Sequence, residues 1–99
     1  MIDPNKAIDF IFENGKKFAK AKSERIYLEE YRKTLKAILM KRSLETAIGA
    51  QEREAYAHQE YQQLLNGLKE AVEVEEELRW SLVAAQARIE VWRSQEASN

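Results

Sequence analysis

One apolar stripe dominates the second half of the chain and most constrains its fold. From Tyr61 to Trp92, residues that step by three and four along the sequence are apolar except for Glu75. The members are Tyr61, Leu64, Leu68, Ala71, Glu75, Leu78, Leu82, Ala85, Ile89 and Trp92. This heptad spacing keeps one helix face turned towards a partner along a supercoil. Apolar neighbours such as Leu65 and Val72 widen the stripe, which favours a bundle of three or four helices.

The rest of the chain contains few residues that end helices. Pro4 is the only proline, and the three glycines are separated by Ala, Leu, Glu, Lys, Gln and Arg, which are good helix formers. Asp3 suits the cap of a first helix and Pro4 its first position. No segment shows the apolar/polar alternation of a strand. The sequence therefore predicts an all-α fold.

Glycines and a polar stretch predict where the helices end. Asn14-Gly15 favours a first break, and the reversal of the chain is expected between residues 49 and 59, either at Gly49 or close to His58. A single helical domain, 1–99, is then expected, with helices at about 4–14, 16–48 and 59–94 and a polar, fraying tail at 94–99.

Two apolar faces are predicted before the reversal. The first contains Ile8, Ile11, Phe12, Gly15, Phe18, Ala19 and Lys22, and the second contains Tyr27, Leu28, Tyr31, Leu35, Ile38, Leu39 and Arg42. A lone hairpin of two such helices buries one stripe on each helix and leaves large apolar side chains exposed to water. Self-association, most often as a two-fold dimer, would complete a four-helix bundle. The predicted oligomer interface is Tyr61, Leu64, Leu68, Leu78, Leu82, Ile89 and Trp92.

Charge is divided unevenly between the two halves. Residues 1–49 contain 11 Lys or Arg and 7 Asp or Glu, whereas residues 50–99 contain 5 and 10. Complementary halves are expected if the first lies beside the second, within a chain or between chains. Each exposed ion pair stabilises by only about 0–1 kcal/mol, so these charges select register more than they stabilise.

Several classes of protein are not expected. The chain has no cysteine, which excludes a disulfide framework or a cysteine-based metal site. No run of 18 apolar residues predicts a membrane span, and the N-terminus lacks the features of a secretory signal. A soluble cytoplasmic protein is therefore expected. No nucleophile elbow or phosphate-binding glycine loop is present, so we expect neither an enzyme nor a cofactor.

A basic run in the first half raises the alternative of direct nucleic-acid binding. Lysines cluster within one short segment, at Lys16, Lys17, Lys20 and Lys22. Such a run can contact phosphates. However, glutamates such as Glu13 and Glu24 interrupt it, and Glu13 with Lys17 has the spacing of a solvated helical ion pair. A solvated face is therefore the favoured interpretation.

Acidic residues and the single histidine offer weaker candidates. A helical di-metal site needs Glu-x-x-His pairs, and His58 has no glutamate three residues before it, so no metal site is expected. His58 is interpreted as a turn or surface residue. Glu75 interrupts the apolar stripe and needs a partner, either Arg79 or a cation from the opposite helix.

Two aromatic residues lie off the predicted stripes and are candidates for a further contact surface. They are Phe10 and Trp80, whereas Phe12, Phe18, Tyr27, Tyr31, Tyr61 and Trp92 are assigned to the core. Exposed large aromatic side chains often mark interfaces.

Two segments, Ala50-Gln51-Glu52-Arg53-Glu54-Ala55-Tyr56-Ala57 and Ala84-Ala85-Gln86-Ala87-Arg88-Ile89-Glu90-Val91-Trp92-Arg93, resemble small uncharacterised helical proteins of tailed bacteriophages and prophages. The similarity includes the opening Ile2-Asp3-Pro4. Genes of this kind lie near replication and recombination genes, so the resemblance implies an accessory or adaptor role beside DNA in the bacterial host cytoplasm, with a phage or host DNA-metabolism protein as partner. It brings no catalytic residue. The alternatives are direct nucleic-acid binding and a structural or virion-assembly role.

Overall fold

The chain folds into three helices. A computed structural model describes residues 3–98, and Met1, Ile2 and Asn99, at the ends of the predicted domain, lie outside them. The helices are α1 (Pro4–Arg42), α2 (Ile48–Ala57) and α3 (Gln59–Ser98), and the described residues form no strand. The predicted all-α class is confirmed. The molecule is elongated, measuring 75 × 19 × 15 Å.

Helix α1 begins where the sequence predicts. Asp3 accepts hydrogen bonds from the backbone N–H of Asn5 at 2.9 Å and of Lys6 at 3.4 Å. Pro4 follows at a position where a missing N–H costs nothing. The predicted break at 14–16 is wrong, because α1 continues through Gly15. One glycine costs a helix about 1 kcal/mol relative to alanine, which the strong helix formers around it outweigh.

The end of α1 lies earlier than predicted, at Arg42 rather than near residue 48. Ser43 adopts an extended backbone, and its hydroxyl accepts from the Glu45 N–H at 3.1 Å while donating to Glu54 at 2.7 Å. A serine that bonds locally in this way competes with helix continuation. The contact with Glu54 also ties the end of α1 to α2.

A separate helix occupies most of the segment predicted for the reversal. Gly49 lies inside α2, and none of the glycines in the described residues has a positive φ. The chain instead changes direction through extended residues, Ser43 and Ala47 before α2 and His58 after it. The glycine is therefore not the turning point.

Helix α3 presents the predicted stripe to the rest of the chain. All ten heptad-spaced residues from Tyr61 to Trp92 are buried or half-buried. The helix continues to Ser98, so the tail predicted at 94–99 is helical as far as the structure describes it, with Asn99 outside the described residues. Glu90 and Arg93 pair at 3.3 Å in its last turns, which supports the helix beyond the stripe.

The face of α1 agrees with the prediction only in part. The predicted residues that are buried or half-buried are Ile11, Gly15, Phe18, Leu28, Tyr31, Leu35, Ile38 and Leu39. Phe12 and Tyr27, assigned to the core, are 74% and 65% exposed. Also exposed are Ile8, Ala19, Lys22 and Arg42, whereas the residues that face α3 are Ala7, Ile11, Asn14, Phe18, Ala21, Arg25, Leu28, Leu35 and Leu39. Apolar residues surround α1 on several sides, so its own pattern does not select a face. The partner helix selects it instead, because Glu75 requires a cation in the seam.

The packed core lies at the end of the hairpin where the chain reverses. Leu35, Leu39, Ala55 and Tyr61 are buried together there, and α2 covers them. The Tyr56 ring meets Tyr61 edge-on at 5.2 Å between ring centroids. At the opposite end the buried residues are small, Ala7 and Ala85. The molecule is therefore an antiparallel pair of long helices with a compact core at one end only.

Candidate functional site

A charged cluster joins α1 and α3 in the middle of the rod. The Arg25 guanidinium donates to the Glu75 carboxylate through Nε at 2.6 Å and through Nη2 at 2.9 Å, and its Nη1 donates to Glu29 at 3.0 Å. Glu75 is only 7% exposed. The hydrogen bonds from Arg25 lower the pKa of Glu75 below its ordinary value, against the opposing effect of burial. The same bonds raise the pKa of Arg25.

This cluster decides between the two partners predicted for Glu75. The cation comes from the opposite helix, as Arg25, whereas Arg79 pairs with Glu76 at 2.7 Å on the surface of α3. Two further ion pairs connect the basic α1 to the acidic half, Lys36 with Glu52 and Arg42 with Glu60. The predicted complementarity is thus used within the chain. In the cluster the pairing is structural, because Arg25 occupies both carboxylate oxygens of Glu75.

The residues predicted as an oligomer interface face α1 of the same chain. Tyr61 is buried, and Leu64, Leu68, Leu78, Leu82, Ile89 and Trp92 are half-buried. The stripe is therefore mostly covered by its own hairpin. A surface for other molecules has to be sought along the edges of this seam and on the outer faces of the helices.

Two open cavities lie between α1 and α3 along one edge of the seam, and we call this edge the groove. They are the N-terminal cavity, of about 750 Å³, and the central cavity, of about 250 Å³. The N-terminal cavity is lined by Asp3, Lys6, Ala7, Phe10, Ser81, Ala84, Ala85 and Arg88. The central cavity is lined by Ala21, Glu24, Leu28, Gly67, Glu70, Ala71 and Val74. Small side chains on both helices leave this space.

The two cavities repeat the same register. Ala7 and Ala85 of the N-terminal cavity correspond to Ala21 and Ala71 of the central one, each 14 residues away. The same offset relates Phe10 to Glu24, Ser81 to Gly67, Ala84 to Glu70 and Arg88 to Val74. Fourteen residues are two heptads, so both cavities open on the same face of the hairpin, about 21 Å apart. Sequence periodicity alone does not reveal this groove, because Ala7 and Ala21, which line it, are not among the residues predicted for the faces of α1.

The two aromatic residues predicted as a contact surface line different cavities. Phe10, 38% exposed, borders the N-terminal cavity. Trp80 is 59% exposed, with the Arg79 guanidinium 4.6 Å from its ring centroid. Around Trp80 lies an acidic depression lined by Glu73, Glu76, Glu77 and Ser81, and Ser81 also borders the N-terminal cavity. The two candidate contacts therefore lie in adjoining depressions.

The four lysines predicted for nucleic-acid contact are all exposed but do not form one surface. Lys17 is seven residues from both Phe10 and Glu24, so it lies on the groove side of α1, whereas Lys22 lies on the side nearer Glu75. Lys16 sits over the Phe12 ring at 5.7 Å. Alternating glutamates on the same helix divide the positive charge, which weakens the case for a phosphate-binding stripe.

The remaining candidates are reported briefly. His58 is exposed, and its Nδ1 accepts from the Glu60 N–H at 3.0 Å at the start of α3. Within residues 3–98, no three His, Asp or Glu side chains are close enough to share a metal ion. None of the helices in that range combines the length and apolar character needed to cross a membrane.

No family model matches the chain, and neither a curated protein nor a solved structure matches it.

Proposed function

We propose that this protein is a non-enzymatic accessory or adaptor that presents side chains along a self-associated helical rod. The observation that carries the proposal is the amount of surface that the single chain leaves uncovered. A globular monomer of 11.6 kDa exposes about 5,800 Å², whereas this chain exposes 7588 Å². The excess, about 1,700 Å² per chain, is about twice the roughly 800 Å² that each partner buries in a standard interface.

The shape supports the same proposal. The radius of gyration is 21.5 Å, against about 13 Å for a compact domain of 100 residues. Away from α2, the buried apolar residues within 3–98 are all small, namely Ala7, Ala21 and Ala85. A second hairpin would cover this thin part and complete a four-helix bundle. Two copies of one chain related by a two-fold axis are the commonest arrangement.

A role without chemistry on substrates fits the side chains that the surface offers. Enzyme sites collect titratable groups with perturbed pKa values in a cleft. In this protein, shifted pKa values belong to Arg25, Lys36, Glu52 and Glu75. All four form ion pairs between helices, Arg25 with Glu75 and Lys36 with Glu52. The exposed Trp80 with its acidic surroundings instead offers a protein-binding surface.

The setting rests on the resemblance described above. We propose from it a partner that acts on DNA, with this chain in the host cytoplasm; no family model or curated protein matches the chain in support of this setting. A protein partner is favoured over DNA itself, because the exposed lysines of α1 are divided by glutamates.

Affinity capture from phage-infected cells tests the role. Tagged protein should retrieve replication or recombination proteins, and Trp80→Ala should lose them while Phe12→Ala, at a more exposed aromatic residue, retains them. Recovery of capsid or tail proteins instead would contradict the proposal and favour a virion component.

A binding titration tests the nucleic-acid alternative. Fluorescence anisotropy with short single- and double-stranded DNA at two salt concentrations should show no binding at low salt. Affinity that falls steeply with salt and disappears on replacing Lys16, Lys17 and Lys20 would contradict the adaptor role, since counterion release is typical of phosphate contacts.

A further inference from the structure

The two cavities of the groove carry opposite charges. Lys6 and Arg88 line the N-terminal cavity, whereas Glu24 and Glu70 line the central cavity. Asp3 also borders the N-terminal cavity, but its carboxylate is engaged with the N–H groups at the start of α1. Within residues 3–98, none of these two cations and two anions forms an ion pair. The chain thus places unpaired like charges on both sides of each cavity.

We infer that a second copy of this chain occupies the groove with its ends reversed, so that the N-terminal cavity of each copy faces the central cavity of the other. This inference rests on the self-association proposed above and adds its geometry. In the end-reversed arrangement, Lys6 and Arg88 of one copy lie over Glu24 and Glu70 of its partner. Two copies pointing in the same direction would place cations over cations and anions over anions, which is unfavourable.

The order of charges along each helix fits a two-fold axis at the middle of the groove. Lys6 and Glu24 are each nine residues from Gly15, and Glu13 and Lys17 are each two residues from it. Reversal about Gly15 therefore brings opposite charges of α1 together in both pairs. A self-complementary surface of this kind is what a two-fold dimer requires.

Helix α3 shows the same symmetry. Glu70 and Arg88 are each nine residues from Arg79, so reversal about Arg79 places the anion of one copy beside the cation of the other. The two centres are consistent with the observed pairing of the helices, since Gly15 and Arg79 both lie between the two cavities in sequence.

Exposed aromatic side chains match the space in the groove. Reversal places Phe10 of one copy over the central cavity of the other, where Ala21, Gly67 and Ala71 leave room. Tyr27, 65% exposed, comes over the larger N-terminal cavity. An aromatic anchor that enters a pocket lined by small residues is typical of the centre of an interface.

The contact area is sufficient for a stable dimer. The groove spans about 25 residues of α1, or about 37 Å, and the hairpin is 19 Å across. The contact plane is therefore about 700 Å² per copy, close to the roughly 800 Å² per partner of a standard interface. The α2 ends of the two copies project beyond the overlap in opposite directions.

Mass and length test the geometry together. Sedimentation should give twice the chain mass, and X-ray scattering should give a maximum dimension of about 90 Å. Helix α3 ends at Ser98, 19 residues or about 28 Å beyond Arg79. The α2 end of each 75 Å hairpin therefore lies about 47 Å from the axis. A dimer near 75 Å would overturn the end-reversed arrangement and leave the proposed self-association standing. A monomer at millimolar concentration would overturn both.

Exchange of the charges at Glu70 and Arg88 tests whether Glu70 of one copy faces Arg88 of the other. Glu70→Arg and Arg88→Glu should each weaken the dimer by on the order of tenfold, and the double variant should return to within about threefold of the original dissociation constant. Glu73→Arg, the same change outside the groove, should have little effect. If either single change strengthens the dimer, like charges face each other and the inference is wrong.

Removal of the aromatic anchor tests the contact independently of charge. Phe10→Ala should weaken the dimer by at least tenfold, whereas Phe12→Ala should leave it unchanged although Phe12 is more exposed. Circular dichroism checks that both variants keep their helices. Equal loss of dimer in the two variants would place the contact elsewhere and contradict the inference.

Discussion

Arg25 and Glu75 join the two long helices through a pair of parallel hydrogen bonds, 2.6 and 2.9 Å long, between residues 50 positions apart in sequence. The pair occupies a seam that is otherwise largely apolar. A buried carboxylate without its guanidinium is strongly unfavourable, whereas alternative registers of an apolar seam differ little in energy. This contact therefore selects one rotation and one register of α1 against α3.

Acid should weaken the fold through Glu75. Because Arg25 lowers the pKa of this carboxyl in the folded chain, its contribution is complete above the ordinary pKa of glutamate and is lost as the pH falls through the folded pKa. We expect the thermal midpoint, followed by circular dichroism, to drop as the pH is lowered from 5 to 3. Glu75→Gln should lower the midpoint at pH 7 and reduce this acid-dependent fall.

Glu76→Gln is the matched control for that prediction. Glu76 pairs with Arg79 within α3, and both side chains are more than 40% exposed. An exposed pair contributes little, so this variant should melt at the original temperature at pH 7. A Glu75→Gln variant that melts with the same midpoint and the same pH dependence as the unsubstituted chain would contradict the role of the buried pair.

Leu39 should be among the most sensitive apolar residues. It is 4% exposed in the core beside α2, so Leu39→Ala should lower the free energy of unfolding by about 2–5 kcal/mol. Leu44, five residues later in the connection to α2, is 98% exposed, and Leu44→Ala should change it by less than about 0.5 kcal/mol. Urea unfolding measures both, and similar effects of the two substitutions would contradict the position of the core.

The sequence predicts the whole buried face of α3 but only part of the buried face of α1, for one physical reason. In α3 the apolar residues recur with one spacing for more than four heptads, so only one face can be buried. In α1, large apolar side chains such as Phe12 and Tyr27 compete with the smaller Ala7 and Ala21. Small residues gain little from burial themselves, but they let the helices approach closely. Which face of α1 is buried therefore depends on the partner helix, and the sequence of α1 alone does not show it.

The groove is not predicted for the same reason, and α2 is not predicted because one of the contacts that end α1 is formed between elements. The cavities need small residues from both helices, and Ala7 and Ala21 are not distinguished by the pattern of α1 alone. Ser43 ends α1 through contacts with Glu45 and with Glu54, and the second of these is formed only after the chain has folded back. The partner of Glu75 was foreseen as a cation from the opposite helix, but not as Arg25.

Gly15→Ala should stabilise the protein. Gly15 lies inside α1 with no positive φ, and an added Cβ would have no neighbour within 4 Å. Alanine favours the helix by about 0.5–1 kcal/mol without a steric penalty. Urea unfolding should show an increase of this size at a protein concentration where the chain is fully monomeric. A decrease would indicate a close contact at Gly15 and contradict the open surface.

Leu82→Asp should destabilise the hairpin and its assembly together. Leu82 is half-buried in the seam towards α1, and a carboxylate there is brought out of water without a partner. We expect a loss of more than about 2 kcal/mol in the free energy of unfolding, together with lower helicity and a lower sedimenting mass. Leu78→Asp, one turn earlier in the same seam, should act in the same direction.

Val83→Asp is the matched control, because it introduces the same charge at the neighbouring residue, which is 40% exposed. It should lower the free energy of unfolding far less than Leu82→Asp does. If Leu82→Asp and Val83→Asp have equal effects on helicity and mass, the stripe from Tyr61 to Trp92 is not the surface that holds the two long helices together.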